Sequence, residues 1–218
     1  MSALAVAAGA VAVFAAGAHA QGPPAPVLNA LQVRDLVENA DPAAHARLEM
    51  HFATLANQYV IEAARQAAVR AALAGNPNRR MGPDSHAARL ARNNARTAAT
   101  LRQLAAHHAR LAGGHASRPP IDAERFEDGD GATQPTPGEL TALTAGRRPR
   151  YERRTVRQYF LTLARTYDAG VQTHRAMASA YRGMANHRGG NNLPHCERLI
   201  RELSDAAQQA RAAATAYE

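Results

Sequence analysis

A nine-residue stretch in the first half of this chain returns, altered, in the second. His51-Phe-Ala-Thr-Leu-Ala-Asn-Gln-Tyr59 aligns without a gap to Tyr159-Phe-Leu-Thr-Leu-Ala-Arg-Thr-Tyr167, a shift of 108 residues. One residue further out of step, His86-Ala-Ala-Arg-Leu90 aligns to His195-Cys-Glu-Arg-Leu199. The conserved apolar positions, Phe52, Leu55 and Tyr59 against Phe160, Leu163 and Tyr167, step by three and four, the spacing of one helical face. A repeat of this kind predicts two copies of one supersecondary unit, each unable to bury its apolar stripe alone. The predicted fold is therefore all-α, an antiparallel four-helix bundle made from a duplicated αα-hairpin.

Composition bears on how such a bundle could close. Of the 218 residues 53 are alanine and aromatics are only 5%, so the core must be thin, with helices close together. Alanine is the best helix former and a poor strand former, which argues against a sheet. Asp41-Pro42 reads as an N-cap acid followed by proline at the first helical position. Gly75-Asn76-Pro77 closes the helix that follows, and a second runs from Asp84-Ser85 to Gly113-Gly114. The chain then divides into an N-terminal segment with a short helix (21–41), hairpin 1 (42–112), a Pro/Gly-rich acidic linker (113–149) with one short helical turn at Glu139–Thr144, and hairpin 2 (150–218). The linker must cross the bundle, which chain entropy tolerates because closure cost grows slowly with length.

Residues 1–20 carry no charged side chain, hold an apolar run from Leu4 to Ala16, and finish Ala18-His19-Ala20, a small-x-small cleavage pattern. They read as a signal peptide cleaved after Ala20, which predicts a periplasmic or secreted protein. Cys196, the single cysteine, then has no partner for an intrachain disulfide; packing, metal ligation and a Cys196-linked homodimer are its three uses. The signal segment and the His195-Cys196-x-x-Leu199 helix start resemble uncharacterised exported alanine-rich helical-hairpin proteins of bacteria. That resemblance implies an exported helical fold and brings no activity with it.

Catalytic signatures are missing from the sequence. There is no lysine for a phosphate loop or a Schiff base, and no Glu-x-x-His, His-Glu-x-x-His or Gly-x-Ser-x-Gly. The sequence predicts a non-enzymatic protein, structural or ligand-binding, with two candidate sites. Met184, His187, His195 and Cys196 combine thioether, imidazole and thiolate around one hairpin turn, a donor set suited to copper or zinc. In that arrangement the N-terminus of the last helix should lower the Cys196 thiol pKa. Met177 and Tyr181, on the same face as His174, align with Val69 and Leu73 and read as core. His107 and His108 are adjacent, and His45 and His51 six apart, so neither pair is expected to converge on one ligand.

The second candidate is cationic. Arg147, Arg148, Arg150, Arg153, Arg154 and Arg157 crowd the start of a helix, the end where its dipole favours anions, and suggest a site for an anionic surface or polymer. Asp122, Glu124, Glu127, Asp128 and Asp130, upstream, could fold back over them. The net charge of +8 is otherwise the mark of an arginine-rich, lysine-free composition rather than of a nucleic-acid-binding surface.

Overall fold

The computed structural model describes residues 27–74, 83–113, 135–145, 150–183 and 192–218. Among them are six helices and no strand, so the protein is all-α. Four helices are long: α2 (Pro42–Ala74), α3 (Pro83–Ala112), α5 (Arg150–Gly183) and α6 (Leu193–Thr215). Two are short: α1 (Ala30–Asn39) and α4 (Pro137–Ala145).

Local chemistry explains the helix starts. Asp41 caps α2 as its sequence suggests, Oδ1 accepting the Ala44 amide at 2.5 Å. Asn29 caps α1 in a reciprocal box with Gln32, each side chain bonding the other's backbone at 2.9 Å. Thr136 and Glu139 form the same box on α4: the Thr136 amide donates to Glu139 Oε2 at 2.8 Å, and the Glu139 amide to Thr136 Oγ1 at 3.2 Å. Those bonds hold the Glu139 carboxyl below the usual range. Between α1 and α2, Ala40 adopts a left-handed turn at φ 47°, unusual for a residue with a Cβ.

The long helices pair antiparallel, α2 along α3 and α5 along α6, and α3 runs beside α6. Across the α3–α6 seam the contacts are small and polar: His86 with Gln209 at 2.9 Å, Asn93 with Asp205 at 2.5 Å, Thr100 with Glu202 at 3.4 Å. Small residues such as Ala98, Ala206, Ala207 and Ala210 are buried on these two helices, which permits the close approach. The fourth side differs. Among the described residues α2 and α5 bring no Cα atoms within 8 Å of each other. Large side chains fill that gap: Tyr59 and Tyr167 stack across it with centroids 6.2 Å apart and planes 11° from parallel.

One expectation is corrected in part. Within the stretch read as linker, α4 is a docked helix, lying mainly on α2 with Leu140 wholly buried. Likewise α1 lies mainly on α5, with Val33, Leu36 and Val37 buried. Each short helix crosses from the pair it precedes onto the other pair, and together they cover the wide α2–α5 side.

Candidate functional site

Both ends of the molecule are built on the same ring arrangement, and they differ in what surrounds it. At one end Phe52 on α2 stacks on His108 of α3, centroids 5.5 Å apart and planes 23° apart, while His51 meets Phe52 edge-on at 5.1 Å and 60°. At the other, Phe160 on α5 stacks on Tyr217 just past α6, at 5.8 Å and 23°, with Tyr159 edge-on to Phe160 at 5.1 Å and 62°.

The first end is a histidine cluster drawn from several helices. His45 Nδ1 on α2 lies 3.1 Å from His108 Nδ1 on α3, so one ring donates to the other. Tyr181 of α5 places its hydroxyl 3.5 Å from His108 Nε2 and accepts a bond from Asn192 at 3.4 Å. His51 Nδ1 accepts the Leu28 amide at 3.1 Å, tying the segment before α1 to α2. Burial drives these imidazoles to the neutral form. It lowers His51 to about 3, with His174 adding repulsion, and His108 to about 3, with His45, His107 and His51 adding theirs. Burial alone brings His174 down to about 4. His45 and His195 are also lowered, desolvation being the leading cause in both. Five histidines therefore gather at this end with imidazoles held toward the neutral form, and protonating one makes protonating its neighbours harder. Among the described residues no three of His, Cys, Asp or Glu converge to hold a metal ion.

At the centre of the α2–α5 side sits a buried carboxylate. Glu62 accepts a short hydrogen bond from the Tyr159 hydroxyl and further bonds from Gln66 Nε2 at 2.8 Å and Arg65 at 3.1 Å. Gln66 Nε2 also reaches the Tyr159 oxygen at 2.8 Å. Tyr167 donates to Asn94 Oδ1 at 2.8 Å. Burial, reinforced by Glu62, raises the pKa of Tyr59, Tyr159 and Tyr167, so all three stay protonated donors. The network is not fully satisfied: Gln66 Oε1 and Asn94 Nδ2 are buried without a hydrogen-bond partner.

Arg153, Arg154, Arg157, Tyr217 and Glu218 line a shallow groove of about 310 Å³. Arg153 and Arg154 are exposed, and Arg157 reaches the side chain of Glu218 at 3.3 Å. Tyr217, stacked on Phe160 beneath, is the aromatic residue of its lining. Three guanidinium groups over one concave surface can hold carboxylate, phosphate or sulfate oxygens through charge-assisted hydrogen bonds.

The structure separates the sequence candidates. Of the arginine set, Arg153, Arg154 and Arg157 meet in the groove; Arg147 and Arg148 lie outside the described residues, and of Arg150 only the backbone position in α5 is described. The acidic run 122–130 is also outside them, and the carboxylate seen on Arg157 is that of Glu218. Of the metal set, Met184 and His187 lie outside the described residues. Cys196 is wholly buried in an apolar cluster with Phe52, Leu101, Leu104 and Met177. Burial pushes its thiol up to about 12, the reverse of the lowering expected from the helix N-terminus. A sulfur so enclosed cannot reach a second chain without opening the α5–α6 pair, so of the three uses open to Cys196 the linked homodimer does not fit this packing. His195 lies half-buried beside Arg198 and His107.

Two features were missed. The His45–His108 contact joins residues expected to diverge from their neighbours, because divergence along one helix says nothing about convergence across two. Glu62 and Gln66, four apart on a helix and each followed by two alanines, were the available signal for a buried polar network. No family model, curated protein or solved structure matches this chain.

Proposed function

We propose that this chain is an exported, non-enzymatic helical bundle that binds anionic polymers at one end, through Arg153, Arg154 and Arg157. The four long helices form an antiparallel four-helix bundle derived by duplication, and each copy includes a short helix ahead of its hairpin. Pairs of contacts that exchange under the sequence shift support this. Phe52–His108 corresponds to Phe160–Tyr217, His51–Phe52 to Tyr159–Phe160, and the Tyr59–Tyr167 stack to itself. Gln66–Tyr159 corresponds to the electrostatic pair His174–His51. The capping boxes of α1 and α4, and their docking on opposite pairs, extend the correspondence beyond the hairpins.

The carrying observation for the ligand is the groove. Duplication puts Arg153 where the first copy has His45 and Tyr217 where it has His108, so one end is closed by neutral rings and the other is open and cationic. Export rests on the segment ending Ala18-His19-Ala20.

Heparin retention as a function of salt tests the reading. With about 0.7 counterions released per neutralised charge on a flexible polymer, replacing Arg153, Arg154 and Arg157 together by Gln should reduce the log–log salt slope by about 2. An unchanged slope would remove the groove as the binding site.

A further inference from the structure

A second arginine array lies away from the groove, on the outer face of the α3–α6 seam. Between His86 and Gly113 the sequence has no acid. Arg89, Arg92 and Arg96 are exposed on α3, and at about 100° per residue they fall within an arc of roughly 60°. Arg198 and Arg201 are exposed on α6, where the sequence shift from Arg89 and Arg92 places them. The two sets meet at the middle of the seam, since Glu202 is within electrostatic reach of Arg96, Arg198 and Arg201. None of the five makes an ion pair among the described residues. The nearby acids are drawn into the seam, Glu202 half-buried against the Thr100 hydroxyl and Asp205 held by Asn93.

We propose that this face is a second contact surface for a linear polymer of sulfate or phosphate groups, laid along Arg89, Arg92, Arg96, Arg201 and Arg198. It takes the class of ligand proposed for the groove but rests on different residues. The steps along α3, about 4.5 and 6 Å at the helical rise, suit successive charges on a chain. Among the described residues the exposed large apolar side chains, Leu31, Val60 and Ile61, are on α1 and α2 and none is on this face, which favours a polymer over a lipid bilayer. The face offers no stacking platform for unpaired bases either, since α3 has no aromatic residue besides its histidines and α6 none besides His195.

The test uses the full chain, with fluorescently labelled heparin and labelled polyphosphate titrated at several salt concentrations. Three variants are compared with wild type: Arg89/Arg92/Arg96→Gln, Arg198/Arg201→Gln and the groove variant Arg153/Arg154/Arg157→Gln. The expected slope losses are about 2 for the α3 variant and about 1.4 for the α6 variant. Arg89/Arg92/Arg96→Lys, which keeps charge, should restore most of the slope and so separate charge from misfolding. Binding of heparin alone or polyphosphate alone supports the surface and identifies whether sulfate or phosphate groups are taken. If the α3 and α6 variants bind as wild type while the groove variant weakens, the second surface is refuted and the groove stands. The reverse pattern supports the second surface and removes the groove. Wild-type protein that binds neither polymer, or binds only anionic lipid vesicles, overturns both.

Discussion

His51, His108 and His174 carry the largest consequence of any single side chains for how stability should depend on pH. Their folded pKa values, about 3, 3 and 4, lie below the ordinary 6.5, so the unfolded chain binds protons that the native chain refuses. Above pH 6.5 neither state is charged and these groups have no pH effect. As pH falls below 6.5 the unfolded state is favoured, by about 1.4 kcal/mol per unit for each histidine, until the native rings protonate near pH 3–4. Urea unfolding at pH 7 and pH 5 should show a loss of several kcal/mol, and His174→Leu should flatten that dependence. A curve flat from pH 7 to 5 would show that these rings are not buried neutral. At the other end, Tyr159→Phe removes the hydroxyl donor to Glu62 and leaves a buried carboxylate short of a partner. The expected cost is about 1–3 kcal/mol in the same assay, against less than 1 for an exposed substitution. Residue chemistry of this kind was only half legible beforehand. Phe52, Tyr59, Phe160 and Tyr167 announce themselves by helical spacing, whereas His45 and His108 lie 63 positions apart and meet only because two helices bring them together.

The short helices show the same limit one level up. The N-cap and breaker at Asp41-Pro42 and Gly75-Asn76-Pro77 placed the start and end of α2 closely, because capping is local chemistry. α4 sits in a proline- and glycine-rich stretch that reads as connection, and it was legible only as a brief helical turn. Its reason to exist is tertiary: Leu140 finds the uncovered side of α2 and α5. Leu140→Ala should cost about 2–5 kcal/mol, the range for truncating a buried leucine. Hydrogen exchange should then speed up first in 137–145, ahead of α5 and α6. Uniform acceleration throughout the chain would mean that α4 is integral to the bundle rather than docked on it. Asn29 and Thr136 do equivalent work at the two helix starts, so neither short helix depends on propensity alone.

Across the whole molecule, side chains of graded size set the spacing: alanine where α3 meets α6, tyrosine and glutamate where α2 faces α5. Cys196 offers a probe of how rigidly this holds together. Wholly buried, with its thiol raised to about 12, it should resist a soluble thiol reagent at pH 7 and label only as the α5–α6 end opens. Labelling as fast as in urea would contradict the packing described. The uneven spacing also has a mechanical meaning. A protein whose helices approach closely through small residues on one side and reach each other through long side chains on the opposite side is shaped like a bound book. The α3–α6 seam is the spine, α2 and α5 are the free edges, and the Tyr159–Glu62–Gln66 bonds are the clasp between them. Its softest collective motion should therefore be a breathing of those edges about the spine, with α1 and α4 riding as covers that must lift first.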